Sequence, residues 1–162
     1  MFASIAWILL LSPFDLIEAS IDRTVFPKNA DDWDRIGLFK LKDGDKDRLV
    51  LLYCYDSDSV THKMMTKKDS ATCTYPNSFA VHAVYQNDSG KWVHQEVFGF
   101  ARVRFTKVAK IGPDNLVLEC RPNFMIQIKP GDDLKKALKR EAEINRPFTE
   151  SVSFKGGRLI AK

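Results

Sequence analysis

His94 and Glu96 lie two residues apart in a strand-forming stretch. Alternate side chains of a strand point the same way, so an imidazole and a carboxylate share one face. Such a pair can hold a metal or move a proton. His82 lies on the stretch before the Asn87-Asp88-Ser89-Gly90 turn and becomes a third member only if the turn register puts it on that face. Pairing Gln86 with Lys91 sets His82 opposite Gln95 instead, on the other face. His94-Gln95-Glu96 also fits H-x-E, but the P-C-x-x-C half of the zinc deaminase signature is absent.

Asp43, Asp45 and Asp47 alternate as calcium-binding carboxylates do. An EF-hand loop would need Gly and Glu where Arg48 and Cys54 stand, so only a looser hairpin-turn site fits, against a plain solvated turn. Phe98, Phe100, Arg102 and Arg104 fall on alternate positions of one long strand-forming run. That stripe offers two rings for stacking and two guanidinium forks for an anion or glycan, which makes it the candidate ligand-binding surface. Val97, Ala101, Val103 and Phe105 then form the core-facing side. His62, Lys63, Lys67 and Lys68 make a small basic loop around Met64 and Met65. Cys54, Cys73 and Cys120 allow at most one intramolecular disulfide, and spacing does not choose among the pairings. Asn87-Asp88-Ser89 is a glycosylation sequon. Nothing points to a cofactor. G-x-S-x-G, H-E-x-x-H, the P-loop and the dinucleotide fingerprint are all absent.

The elements that must position these residues are mostly strands. Residues 37–42 and 48–55 flank a turn-forming acidic segment and read as a hairpin whose second strand is apolar on both faces. Residues 79–86 and 91–100 form the clearest hairpin, and the strand signal runs on to residue 111, with Gly99 marking a bulge or bend. Residues 116–120 and 124–128 add short strands. Residues 56–78 form a polar stretch with room for an edge strand at 60–65. A short helix carries Trp33, which plugs one end of the core. Asp132 or Asp133 caps the one amphipathic helix, with Leu134, Ala137, Leu138, Glu141 and Ile144 at helical spacing. A tight hairpin around Gly156-Gly157 closes the chain. The fold expected is mainly β: an antiparallel sandwich or small barrel of seven to nine strands, with one C-terminal amphipathic helix and a final β-hairpin. A calyx would resemble lipocalins in element order only; their G-x-W start is missing.

The chain has 162 residues, 44% hydrophobic and 28% charged, as one ordinary globular domain requires. Residues 2–11 are almost wholly apolar, Pro13 breaks any helix there, and Ala19-Ser20 supplies a small-residue cut site. This reads as a signal peptide over residues 1–19, although no Lys or Arg precedes the apolar run. The run is shorter than the roughly 20 residues that span a bilayer, so no stable membrane span is expected after cleavage. Cleavage moves the formal charge from +4 to +6, because residues 1–19 hold Asp15 and Glu18 and no Lys or Arg. Scattered charge of that size does not argue for nucleic acid. The expectation is an exported, secreted or periplasmic, non-catalytic domain (residues 20–162) that binds a protein, a glycan or a small anionic ligand. The alternatives are a hydrolase using His94, Glu96 and His82, or a small-molecule carrier with a calyx.

Overall fold

The computed structural model describes residues 12–28, 30–56, 78–101, 103–124, 128 and 130–162. The protein is mainly β, at 55% strand, with eight strands in two antiparallel sheets among the described residues. Strands β1 (Asp34–Asp43), β2 (Lys46–Asp56), β3 (Ser78–Gln86) and β4 (Trp92–Ala101) form the first sheet in chain order. Strands β5 (Val103–Ile111), β6 (Asn115–Pro122), β7 (Phe148–Lys155) and β8 (Arg158–Ala161) form the second, also in chain order. Helix α1 (Pro13–Ala19) precedes β1, and helix α2 (Leu134–Ile144) lies between β6 and β7. The expected edge strand at 60–65, the basic loop and Cys73 lie outside the described residues, as does most of the short strand expected at 124–128.

The inward faces of both sheets meet in one core. Val50, Leu52, Val81 and Ala83 from the first sheet pack with Leu116, Leu118, Cys120 and Val152 from the second, and none of these side chains is accessible to solvent. Burial of this apolar surface is the main favourable term in such a fold. The sheets do not close into a barrel, so the small-barrel form and its calyx do not hold. At the β4–β8 seam a side-chain amide replaces a strand ladder: Gln95 Nε2 donates to the Leu159 carbonyl at 2.5 Å, and its Oε1 accepts from the Leu159 N–H at 3.2 Å. Along the other edge the Lys42 N–H donates to the Pro113 carbonyl at 2.8 Å.

Strand β2 is buried on both faces, as its unbroken apolar run implies: Leu51 and Tyr53 point away from the inter-sheet core yet are covered. The cover is the segment before β1. Phe14 and Ile17 of α1, with Ile21, Phe26 and Trp33, pack on that outer face. Trp33 therefore sits on the outside of the first sheet and does not plug the core end. Pro13 does not stop a helix but opens α1 at its first turn, where its missing N–H costs nothing, and the Ser12–Asp15 capping box closes the end. Arg35 ion-pairs with both Asp15 and Glu18, and the Tyr53 hydroxyl donates to Glu18 at 2.8 Å.

The continuous strand expected over residues 91–111 is two strands in different sheets. An extra residue, Val97, bulges out of β4 opposite Val81 and His82, which reverses the alternation beyond it. Gly99 sits where an added Cβ would lie 3.1 Å from the Phe79 carbonyl oxygen.

Arg48 ties three hairpins together. It is 6% exposed and donates from Nε to Asp43 at 2.8 Å, from Nη1 to the Gln86 carbonyl at 2.8 Å and from Nη2 to Asp88 at 2.6 Å. Its guanidinium also lies 5.5 Å from the Phe154 ring centroid. Asp43, Asp88 and Phe154 belong to the β1–β2, β3–β4 and β7–β8 hairpins. Arg48→Met should lower stability by about 3 kcal/mol in urea unfolding, because it leaves the mostly buried Asp43 carboxylate without a cation. Arg48→Lys should fall between, since one ammonium cannot reproduce the fork. An unchanged midpoint for Arg48→Met would contradict this account.

Candidate functional site

The β3–β4 turn positions the site. Asn87 Oδ1 accepts from the Ser89 and Lys91 N–H groups, the Asn87 N–H donates to the Lys91 carbonyl, and Gly90 takes φ 75°. The first ladder pair is then Gln86 with Trp92, one residue later than the simple four-residue turn implies. His82 consequently faces Glu96, not Gln95, and shares the outer face with His94. Gln95 turns inward, where it reaches Leu159 and accepts from the Tyr85 hydroxyl at 2.9 Å.

The two imidazoles meet: His82 Nδ1 lies 3.1 Å from His94 Nε2, so one ring donates and the other accepts. His82 is 8% exposed and stacks on Trp33, with centroids 4.1 Å apart and planes 7° from parallel. Burial, and secondarily the neighbouring His94, pushes the His82 pKa down to about 4. Burial also lowers His94, against the opposing pull of Glu96. Both rings are therefore neutral at pH 7. Trp33 Nε1 is buried without a hydrogen-bond partner.

Beside the pair, at the β4–β8 seam, is a recess of about 540 Å³ lined by Tyr85, Asn87, Val93, His94, Gln95, Glu96, Gly157 and Arg158. Its ionisable lining is one imidazole, one carboxylate, one guanidinium and a phenol that burial holds above its ordinary pKa. No group of three His, Cys, Asp or Glu side chains suited to a metal exists among the described residues.

The other sequence candidates are dispersed. Phe98 turns toward the core and packs 6.2 Å from Phe79, while Phe100 meets Phe148 edge-on at 5.5 Å. Arg104 belongs to the second sheet, is exposed, and donates to Asn123 Oδ1 at 2.9 Å. Arg102 lies outside the described residues. The expected Phe–Arg stripe is thus not one face, because the Val97 bulge just before it turns Phe98 inward and the change of sheet falls inside it. Asp43 is taken by Arg48 and Asp47 by Lys40 at 2.6 Å, so Asp43, Asp45 and Asp47 do not converge on a cation. Cys120 is a free, fully buried thiol whose pKa burial pushes up to about 12, with Glu150 and Glu119 adding to the effect. Sequence reasoning missed Trp33, Gln95 and Arg158; only the Asn-x-x-Gly spacing of the turn carried a signal for the register.

Comparison with family models, curated proteins and solved structures finds no match.

The histidine pair makes stability depend on pH. His82 titrates near 6.5 when unfolded and near 4 when folded, so the unfolded chain binds the extra proton between those values. Stability present above pH 6.5 should fall as the pH drops toward 4, by about 3 kcal/mol from His82. Urea midpoints at pH 7 and 4.5 should differ in wild type and differ much less in His82→Gln. Equal pH dependence in both proteins would contradict the assignment.

Proposed function

We propose that this chain is an exported, non-catalytic β-sandwich that binds a small anionic ligand in the recess between β4 and β8. The observation that carries the reading is Arg158. Its guanidinium lines the recess and makes no ion pair or side-chain hydrogen bond with any described residue. Arg158 is exposed at the rim of the recess, and its planar fork of donors matches a carboxylate, phosphate or sulfate. His94 and Glu96 on the opposite wall add a neutral imidazole and a carboxylate, which suits a ligand with donors beside its anionic group. Among the described residues no Ser, Thr or Cys lines the recess, and the Tyr85 hydroxyl is engaged by Gln95, so the wall offers no hydroxyl or thiol nucleophile.

A second reading, a hydrolase, is favoured by one observation: the His82–His94 contact. There His94 would serve as general base for a water, with His82 orienting its ring and Glu96 nearby.

Export rests on the apolar stretch at residues 2–11. A cut after Ala19 would remove Phe14, Asp15, Ile17 and Glu18, leaving Arg35 and Tyr53 without their carboxylate partners. Those contacts favour a mature chain that keeps α1, and the intact mass of protein from its native host reads the N-terminus directly. The same preparation tests the recess. Sulfate, at ionic strength held constant with chloride, should raise the melting temperature of wild type and not of Arg158→Ala. Equal shifts in both would place the site elsewhere. Turnover of p-nitrophenyl esters or phosphates by wild type, lost in His94→Ala, would replace the binding reading with the hydrolase.

A further inference from the structure

Helix α2 carries an apolar stripe that the fold does not cover. No residue of the helix is buried; Leu134 is 57% and Leu138 52% exposed, and Ile144 is 43% exposed at the C-terminal end. Phe124 and Ile128 are also exposed, so five of the nine exposed large hydrophobic side chains among the described residues fall between positions 124 and 144. Scattered single hydrophobes need no explanation, but a concentration of this kind marks a surface that meets something.

The helix is held as a ridge. Asp133 caps its start by accepting from the Lys135 and Lys136 N–H groups. At its end the buried Asn145 side chain both donates to and accepts from the Phe124 backbone at 2.8 Å, and the Asn145 carbonyl accepts from Arg121 Nε at 3.1 Å. This places Phe124 beside the helix end that carries Ile144. Ala137 and Glu141 are the half-buried positions, so the helix leans on the body along that line and turns Leu134 and Leu138 outward.

Charge identifies the occupant. By helical spacing Lys135 and Lys139 border the Leu134–Leu138 stripe on one side, and Lys136 and Arg140 continue the polar face, which holds one acid, Glu143. Lys135, Lys139 and Arg140 form no ion pair or side-chain hydrogen bond with any described residue. A leucine stripe bordered by unpaired lysines is what an interfacial helix presents to a bilayer. The apolar side chains enter the acyl boundary, and the lysine stems rise along them to reach anionic headgroups. A second protein surface would not require that row of unpaired cations beside the leucines.

We propose that α2, with Phe124 and Ile128, docks the protein on the surface of an anionic lipid bilayer. The test is co-sedimentation with large vesicles of phosphatidylcholine alone or with 30 mol% phosphatidylglycerol, using wild type and variants prepared with the same N-terminus. Wild type should partition onto the anionic vesicles about tenfold or more better than onto neutral ones, and 0.5 M salt should remove most of that preference. Leu134→Glu plus Leu138→Glu should abolish binding. The triple change of Lys135, Lys139 and Arg140 to Gln should abolish only the anionic preference; it leaves every apolar contact in place and decides the matter if the leucine variant does not fold. Equal binding to both vesicle types, or wild-type behaviour by the triple variant, would overturn the proposal. Concentration-dependent dimerisation lost in the leucine variant, without vesicle binding, would assign the stripe to a second copy of the chain.

Discussion

The register of the β3–β4 hairpin is the constraint on which the rest of the site depends. Two registers compete, one residue apart, and a slip of one residue turns every β4 side chain to the opposite face. In the observed register Val93 and Gln95 point inward, while His94 and Glu96 point outward. The slipped register would drive Glu96 and His94 between the sheets and expel Val93. Burying a carboxylate without a cation costs several kcal/mol, far more than a local turn preference supplies. The Asn87–Gly90 turn then adds its own side-chain and backbone bonds to the register that burial already favours. Arg48 reinforces the choice, since its bonds to the Gln86 carbonyl and Asp88 form only when the turn sits where it does.

Two consequences of that register lie on opposite faces of β4. Inward, the Gln95 amide satisfies the N–H and C=O of Leu159, a buried residue on an edge strand, and so joins the sheets without a strand ladder. Outward, His94 reaches His82 under the indole of Trp33. The apolar cover over the outer face buries His82, while His94 stays half-buried and reaches the polar recess. One strand therefore supplies the seam, one ring of the imidazole pair and a wall of the candidate ligand site.

Much of this was legible in the sequence where local chemistry decides the outcome. The both-sided burial of β2 follows from an unbroken apolar run, and α2 follows from its spacing and its Asp133 cap. The change of sheet between Ala101 and Val103 was not legible. Residues 91–111 hold no Pro and a single Gly, so nothing local ends the strand, and the change of sheet is imposed by packing. Pro13 was misleading because the same residue that interrupts a helix also opens one, and Ser12 with Asp15 decides which. The surroundings of the acidic turn were hidden for a related reason: spacing showed three carboxylates but not that Arg48 and Lys40 already pair with two of them. Arg158 gave no signal, because its neighbours in the recess come from a strand more than sixty positions earlier.

The most direct test of the hairpin register is nuclear magnetic resonance of the imidazole rings across a pH titration. The account predicts contacts between the rings of His82 and His94, a shared N–H···N bond at neutral pH, and a His82 midpoint near 4 while the fold persists. Two rings that titrate independently near 6.5, with no contact between them, would contradict it. That outcome would mean that the hairpin adopts the shorter turn and that the site described above does not exist.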